Sequence, residues 1–271
     1  MTYNLLKNVN WGTVGIVLII TAVLAIVFAL LIVTVSKLCA VKEDEKAKAI
    51  SEKLAGANCG GCGFAGCADF AKALSEGKAD ITGCGPTSKE NKAEIANILG
   101  VPFSDSGDVF AVVHCGGGEN AKDKFGYVGA EGCVAQSKFM GGKKVCSFGC
   151  LGEGTCKSQC PYNAILIEKG VAKVDKALCE ACGLCVKGCP KNIIELIPKS
   201  SKVYIACSSK CRGKDVMDAC SFGCIGCGLC AKNCPENAIT MVDNLPVIDY
   251  SKCTGCLTCV TKCPRKCIKE L

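Results

Sequence analysis

The residues that could do chemistry in this chain are its cysteines, which stand in short runs. There are 27 of them among 271 residues, a density that globular proteins reach with disulfides or bound metals. A secreted disulfide framework is usually a short chain with an even cysteine count. Here the count is odd, and many cysteines are only three residues apart, too close to close a set of loops. The pattern therefore indicates metal or cluster ligation in a reducing compartment.

The first group has the spacing C-x2-C-x4-C-x16-C, and its predicted ligands are Cys59, Cys62, Cys67 and Cys84. Intervening glycines let the backbone wrap closely and aim N–H groups at sulfur. Residues 68–76 are predicted to form a short helix that leads to the distal ligand. A structural zinc site also uses four thiolates, but the crowding of three ligands and the motifs downstream favour a 4Fe-4S cluster.

A stronger signal is an internal repeat at an offset of 74 residues. The sequence CSFGC occurs at 146–150 and again at 220–224, each time followed by Cys-Pro and a second cysteine run. Each repeat thus holds two half-motifs, as in a bacterial two-cluster ferredoxin. There, three cysteines of a C-x2-C-x2-C-x3-C-P run bind one cluster and the fourth crosses to the other. Residues 237–241 are predicted to form a strand of a small, pseudo-symmetric β/α module.

The second repeat has complete ligand sets for two 4Fe-4S clusters. One set is Cys224, Cys227, Cys230 and Cys263. The other is Cys234, Cys253, Cys256 and Cys259. The proline after each fourth cysteine fixes the backbone and removes a donor, which turns the chain out of the site.

The first repeat has one regular set, and its ligands are Cys160, Cys179, Cys182 and Cys185. Its other set is irregular because Glu153 stands where the second repeat has Cys227. The predicted ligands of this set are Cys146, Cys150, Cys156 and Cys189, with Cys146 replacing the missing thiolate. The matching Cys220 stands beside a complete set, which weakens this choice. A three-iron cluster, or ligation by the Glu153 carboxylate, is the alternative.

Seven cysteines remain without an assigned ligand role. Cys133 and Cys207 match at the same offset of 74, as Cys146 and Cys220 do. For the unassigned cysteines we favour a role as small buried hydrophobes, and for His114, the one histidine, a structural role. The cysteines outside the predicted ligand sets are Cys39, Cys115, Cys133, Cys207, Cys211, Cys220 and Cys267.

An apolar segment precedes all these motifs. No charged residue lies between Lys7 and Lys37, and residues 14–35 are almost continuously apolar. As a helix they would span roughly 33 Å, enough for a bilayer core. The segment is too long for a signal-peptide core, and no small-residue cleavage site follows it. Lysines are more frequent after it than before it, so the positive-inside bias predicts a single-pass anchor of the cytoplasmic membrane with the body in the cytoplasm.

These features predict an α+β chain with one transmembrane helix and five 4Fe-4S clusters. Only 6% of its residues are aromatic, so we expect the clusters to supply much of the folding free energy. The predicted parts are an anchor at 1–37, a four-cysteine domain at 38–100, a linker at 101–132, ferredoxin-like module 1 at 133–200 and module 2 at 201–271.

A four-cysteine motif just after a membrane helix, followed by two ferredoxin modules, resembles the B subunit of the Rnf electron transport complex in its long form. The resemblance implies an electron-relay subunit that accepts electrons from reduced ferredoxin. It further implies membrane and flavoprotein partner subunits, in an oxidoreductase that reduces NAD and translocates sodium ions or protons. The chain has no nucleophile–base pair, Rossmann glycine pattern or flavin signature. We therefore predict no catalytic residues in it, and hydride chemistry belongs to a flavoprotein partner.

Two other classes compete with this interpretation. A membrane-anchored polyferredoxin subunit of a hydrogenase or formate enzyme complex would also relay electrons, but the four-cysteine domain favours the Rnf interpretation. A non-redox zinc scaffold would be colourless. The net charge of +7, with pairs such as Lys143-Lys144, would suit docking of an acidic ferredoxin. No basic stripe with interleaved aromatic residues suggests a nucleic-acid partner.

Overall fold

The computed structural model describes residues 11–38, 44–102 and 108–271. They divide between two units, Met1–Asp44 and Glu45–Leu271. Two residues named above, Lys7 and Cys39, lie outside the described residues.

The first unit contributes one long helix, α1 (Trp11–Leu38). Its stretch Gly15–Val35 is long and apolar enough to cross a bilayer. Aliphatic and aromatic side chains such as Leu18 and Phe28 remain exposed along it. The Thr34 hydroxyl donates back to the Leu30 carbonyl at 2.7 Å, which satisfies a polar group that hydrocarbon could not.

The second unit begins with a small helical domain around the first cysteine group. Its helices are α2 (Glu45–Lys53), α3 (Cys67–Ser75) and α4 (Lys89–Leu99). They pack on a core that contains Ile50, Phe70 and Ile95. The helix predicted at 68–76 is confirmed by α3.

Two modules of short helices and strands come next in the chain, each with two antiparallel strand pairs. In module 1, β1 pairs with β4 and β2 pairs with β3. Its elements are β1 (Val109–Val113), α5 (Cys133–Lys138), α6 (Thr155–Ser158), β2 (Ile165–Glu168), β3 (Val171–Val174), α7 (Leu184–Gly188) and β4 (Ile194–Pro198).

Module 2 repeats this plan, with β5 paired to β8 and β6 paired to β7. The strand predicted at 237–241 is confirmed, with slightly shifted bounds, by β6. The elements are β5 (Val203–Ile205), α8 (Gly213–Ala219), α9 (Leu229–Lys232), β6 (Ile239–Val242), β7 (Leu245–Ile248), α10 (Thr258–Lys262) and β8 (Ile268–Glu270).

The strand pairs show which positions of the two modules correspond. Val113 faces Ile194 in module 1, and Ile205 faces Ile268 in module 2. Cys115 therefore corresponds to Cys207, two residues beyond each of these strands. The sequence match of Cys133 with Cys207 is not a structural one, because module 1 carries an insertion with α5 after β1.

Strand β1 lies inside the range 101–132, the predicted linker. It pairs along its whole length with β4, from Val109↔Pro198 to Val113↔Ile194. Because this pairing makes β1 part of the same fold as β4, we place the start of module 1 at Val109.

Candidate iron–sulfur cluster sites

Short helices present the cysteine at the third position of every ferredoxin-type run. Each helix is preceded by a residue in the left-handed region, with φ of 77° at Gly154, 73° at Gly183, 70° at Gly228 and 62° at Leu257. This turn curls each run around a common centre, which a straight strand or helix could not do. The cysteines so presented are Cys156, Cys185, Cys230 and Cys259.

Burial disfavours the thiolate form of these cysteines unless a positive charge lies nearby. It raises the pKa of Cys150 and Cys185 to about 12 and that of Cys156 and Cys230 to about 11. Such thiols stay protonated at neutral pH, whereas bound metal ions would stabilise the thiolates. The donor set therefore fits iron bound to several buried sulfurs.

The regular set of module 1 is brought together. The Cys185 thiol interacts electrostatically with the thiols of Cys179, Cys182 and Cys160. All four cysteines line one small cavity. Tyr162 lines the same cavity, and its buried hydroxyl has no hydrogen-bond partner among the described residues. A buried unpaired hydroxyl costs free energy, so this atom fits a donor to a cluster sulfide.

Both sets of module 2 are also brought together. Cys234, Cys253, Cys256 and Cys259 line one cavity. In the other set, Cys224 and Cys227 are the thiols that act on Cys230.

Cys267 joins the fourth member of that second set to the first. Its sulfur lies 3.5 Å from that of Cys263, within hydrogen-bond distance, and its thiol also interacts with that of Cys224. The interaction with Cys224 raises the pKa of Cys267, which favours its thiol form.

The four-cysteine domain surrounds its thiols with polar contacts. Asn58 Oδ1 accepts from the N–H of Cys67 at 2.8 Å, at the start of α3. The Thr87 hydroxyl donates to Cys84 Sγ at 3.1 Å and accepts from the N–H of Ala55 at 3.3 Å. The core of this domain includes Cys62, Cys67 and Cys84. The Tyr162 hydroxyl of module 1 interacts electrostatically with the thiols of Cys59 and Cys84.

The irregular set of module 1 has a different neighbour from the one predicted. The thiol of Cys133, the first residue of α5, interacts electrostatically with the thiols of Cys150 and Cys156. The Cys189 thiol also interacts with that of Cys156. Cys146 instead lies among Cys115, Cys220 and Cys211. No motif in the sequence singles out Cys133, because no regular spacing connects it to Cys150 or Cys156.

Glu153 is engaged elsewhere. Its Oε1 accepts from Lys143 Nζ at 2.8 Å and from Gln136 Nε2 at 3.1 Å. These contacts tie the carboxylate to α5 and to the chain after it. They do not favour the alternative in which Glu153 is a ligand.

The four-cysteine domain packs directly on the regular site of module 1. A β-carbon added at Gly61 would stand 2.3 Å from the Cys182 carbonyl oxygen, and one at Gly85 would stand 2.3 Å from that of Ala181. Lys187 Nζ donates to the Gly61 carbonyl at 2.6 Å. The two glycines allow a backbone approach that places Cys59 near Cys182.

Two residues considered in the sequence analysis serve structure. Lys144 is 6% exposed and donates to the carbonyls of Gly118 and Ala121, so the Lys143-Lys144 pair does not offer two free charges for docking. His114 contacts the Ile205 carbonyl through Nδ1 at 2.7 Å and Glu195 through Nε2 at 2.9 Å. It thereby links the two modules, as a structural role requires.

Three family models match parts of the chain. One described as "4Fe-4S dicluster domain" matches residues 223–267, and one described as "4Fe-4S binding domain" matches 172–195. A third, described as "Putative Fe-S cluster", matches 54–86.

Similar proteins match along most of the chain. The B subunit of the Na(+)-translocating ferredoxin:NAD(+) oxidoreductase complex of Acetobacterium woodii is 39% identical, over 86% of this chain and 71% of the relative. The B subunit of the ion-translocating oxidoreductase complex of Methanosarcina acetivorans is 37% identical, over 87% and 90%. The B subunit of the proton-translocating ferredoxin:NAD(+) oxidoreductase complex of Clostridium ljungdahlii is 38% identical, over 89% and 86%.

The fold and these matches define an iron–sulfur protein with ferredoxin-type 4Fe-4S domains and a helix that fits a membrane anchor. The identity and coverage of the relatives go further. The chain belongs to the family of B subunits of the ion-translocating oxidoreductase complexes, the Rnf complexes. The resemblance noted from the motifs and the electron-relay role are thereby confirmed, and the polyferredoxin alternative is not favoured.

Proposed function

We propose that this chain accepts electrons from reduced ferredoxin and passes them, through five 4Fe-4S clusters, to membrane and flavoprotein subunits of an ion-translocating ferredoxin:NAD oxidoreductase. Bound clusters would supply one-electron redox chemistry. The chain's own residues hold them, exclude water from most of the sulfurs and donate hydrogen bonds to them. Ferredoxin and ion translocation appear in the names of two relatives, which support the proposal.

Four of the five ligand sets are those predicted from the sequence. They are Cys59, Cys62, Cys67 and Cys84; Cys160, Cys179, Cys182 and Cys185; Cys224, Cys227, Cys230 and Cys263; and Cys234, Cys253, Cys256 and Cys259. For the irregular set we now assign Cys133, Cys150, Cys156 and Cys189, because Cys133 lies beside two of the others and Cys146 does not.

The observation that carries the proposal is the order of these sites in space. The four-cysteine domain contacts the Cys182 site, and Cys185 of that site acts on Cys156 of the irregular one. Sites this close to one another are what an electron relay requires, since electron transfer weakens steeply with distance. Module 2 is joined to module 1 by the contact of His114 with the Ile205 carbonyl.

The exposure of two proposed ligands supports a docking site for ferredoxin on module 2. Cys227 and Cys256 of module 2 are exposed, whereas every proposed ligand in module 1 and in the four-cysteine domain is buried or half-buried. The exposed Lys262 ends α10, the helix that carries Cys259. We therefore assign electron entry to module 2. The cysteine-bearing body stands on the cytoplasmic side in this proposal, where reduced ferredoxin and free thiols both persist.

Stopped-flow reduction of the anaerobically purified full chain by ferredoxin tests this function. We expect Lys262→Glu to slow the second-order rate several-fold at low ionic strength, and the difference to shrink as salt screens the charge. Lys138→Glu makes the same charge change on an exposed residue of α5 and should leave the rate unchanged. Equal second-order rates in the two variants would contradict a docking site on module 2. A chain that ferredoxin does not reduce would overturn the function itself.

A further inference from the structure

Five thiols face one cavity at the junction of the two modules. The cavity has a volume of about 150 Å³, and its thiols are Cys115, Cys146, Cys207, Cys211 and Cys220. All five lie outside the ranges 54–86, 172–195 and 223–267 that the family models match. None belongs to the five proposed ligand sets.

The sulfurs converge on a space that a glycine keeps open. A β-carbon at Gly117 would stand 3.3 Å from Cys220 Sγ and 3.6 Å from Cys115 Sγ. A side chain at this position would therefore push between two thiols. The thiols whose charge acts on Cys146 are Cys115, Cys220 and Cys211.

The two modules contribute equivalent residues. Cys115 corresponds to Cys207 through the strand pairs, and Cys146 corresponds to Cys220 through the repeated CSFGC sequence. Each module thus brings the same pair of thiols to the junction. Four thiols related by pseudo-symmetry are the number that a cubane needs.

The cavity is adjacent to a proposed cluster site on each side. The backbone N–H of Cys150 donates to Cys115 Sγ at 3.3 Å, and that of Cys224 donates to Cys207 Sγ at 3.3 Å. Cys150 and Cys224 are ligands in our assignment. A redox group in the cavity would therefore stand between the irregular site of module 1 and the first site of module 2.

Packing disfavours the view that these cysteines are only small core residues. Protein interiors leave few voids larger than a water molecule, and a cavity of about 150 Å³ can hold a group the size of benzene. An Fe4S4 core is of comparable size. The Ser208 hydroxyl donates to the Phe148 carbonyl at 3.2 Å, one of the contacts that hold the junction together around the space.

We propose that this cavity holds a sixth 4Fe-4S cluster on Cys115, Cys146, Cys207 and Cys220, with Cys211 as a nearby fifth thiol, and that it connects the two modules. The inference rests on the proposed function, since it places one more cluster in the same relay. The four thiols release their protons to solvent on binding. In each turnover the site takes one electron from one neighbour and gives one to the other, so no further oxidant or reductant is needed.

Iron counting on the full chain, purified without oxygen, tests the proposal. Six cubanes correspond to about 24 irons per chain and five to about 20, at four irons per cubane. We expect native mass spectrometry of the wild type to show the mass of six clusters. A wild type that holds five would overturn the proposal, whether or not any variant folds. A chain without iron would instead overturn the proposed function.

Variants then locate the additional cluster. The triple change Cys207→Ala, Cys211→Ala and Cys220→Ala removes every cavity thiol of module 2 and no ligand of the five assigned sets. We expect it to lose about four irons and the corresponding part of the paramagnetic signal after dithionite. The double change Ser147→Ala and Ser221→Ala alters both copies of the repeated CSFGC sequence, keeps all thiols and should keep all iron. Equal iron in both variants would overturn the site.

Discussion

The Thr87 hydroxyl donates a hydrogen bond to Cys84 Sγ at 3.1 Å in a buried part of the four-cysteine domain. Hydrogen bonds to sulfur stabilise the more negative, reduced state of a cluster and raise its reduction potential. Thr87→Val should therefore shift the potential of this cluster to more negative values. It should also lower the free energy of unfolding by roughly 1 kcal/mol, because the N–H of Ala55 loses its acceptor. Thr87→Ser keeps the hydroxyl and should restore both values, as measured by redox titration and denaturant unfolding. An unchanged reduction potential in Thr87→Val would contradict this role.

The assignment of Cys133 predicts an effect that the assignment of Cys146 to the irregular set does not. Cys133→Ala should remove about four irons, or leave a three-iron cluster, because the set keeps only three thiolates. Val134→Ala, at the neighbouring exposed position, should keep all iron. Iron analysis with electron paramagnetic resonance distinguishes these outcomes, and unchanged iron in Cys133→Ala would return the fourth ligand to Cys146.

Glu153→Gln separates carboxylate ligation from the ion pair that we describe. Because the carboxylate contacts Lys143 and Gln136, we expect full iron content and a loss of at most about 1 kcal/mol in the free energy of unfolding. Iron lost on this single change would show that the carboxylate does bind the cluster.

Gly61→Ala should separate the four-cysteine domain from module 1. The added β-carbon would meet the Cys182 carbonyl oxygen at 2.3 Å, and backbone atoms cannot move aside easily. We expect normal iron content, faster hydrogen exchange around Cys182 and slower electron transfer between the two parts. Gly126→Ala adds the same carbon where no atom lies within 4 Å and serves as the control. Equal exchange in the two variants would contradict the contact.

Cys267→Ala should lower the reduction potential of the cluster held by Cys224 and Cys263, because the S–H that lies 3.5 Å from the Cys263 sulfur is lost. Cys267→Ser keeps a donor and should stay closer to the wild type. Redox titration followed by paramagnetic resonance measures both. Iron content should not change, and a loss of four irons would make Cys267 a ligand instead of a donor.

Removal of iron should unfold both modules. Their cores contain many of the ligand cysteines themselves, including Cys150 and Cys185 in module 1 and Cys224 and Cys230 in module 2. Without metal these thiols contribute little cohesion. Acid-labile sulfide and circular dichroism should fall together on anaerobic chelation, while the helical signal of α1 persists. A module that keeps its strands without iron would contradict this dependence.

Where the predicted ligands follow a contiguous motif, the structure brings their thiols together, as the sequence predicts. The runs at Cys179–Cys185 and Cys253–Cys259 predict their sites, because a C-x2-C-x2-C run allows few other geometries. The sequence was insufficient where the proposed ligand lies in an insertion, as Cys133 does, because no spacing connects that residue to Cys150. It also could not show that Cys115 and Cys207 correspond. The segment between β1 and the first CSFGC sequence is longer than the segment between β5 and the second one, so the two cysteines do not match at the offset of 74 residues. Only strand pairing reveals that relation.

The proposed ligand sulfurs differ in solvent exposure, and this difference affects how the protein reacts with oxygen. Cys227 and Cys256 lie open at the C-terminal module, whereas Cys150, Cys156, Cys179 and Cys185 are buried. Oxidants attack accessible sulfur first, so we expect damage in air to start at the end where electrons would enter. Such an order of failure would disconnect the chain from its donor while the protected sites further along stay intact.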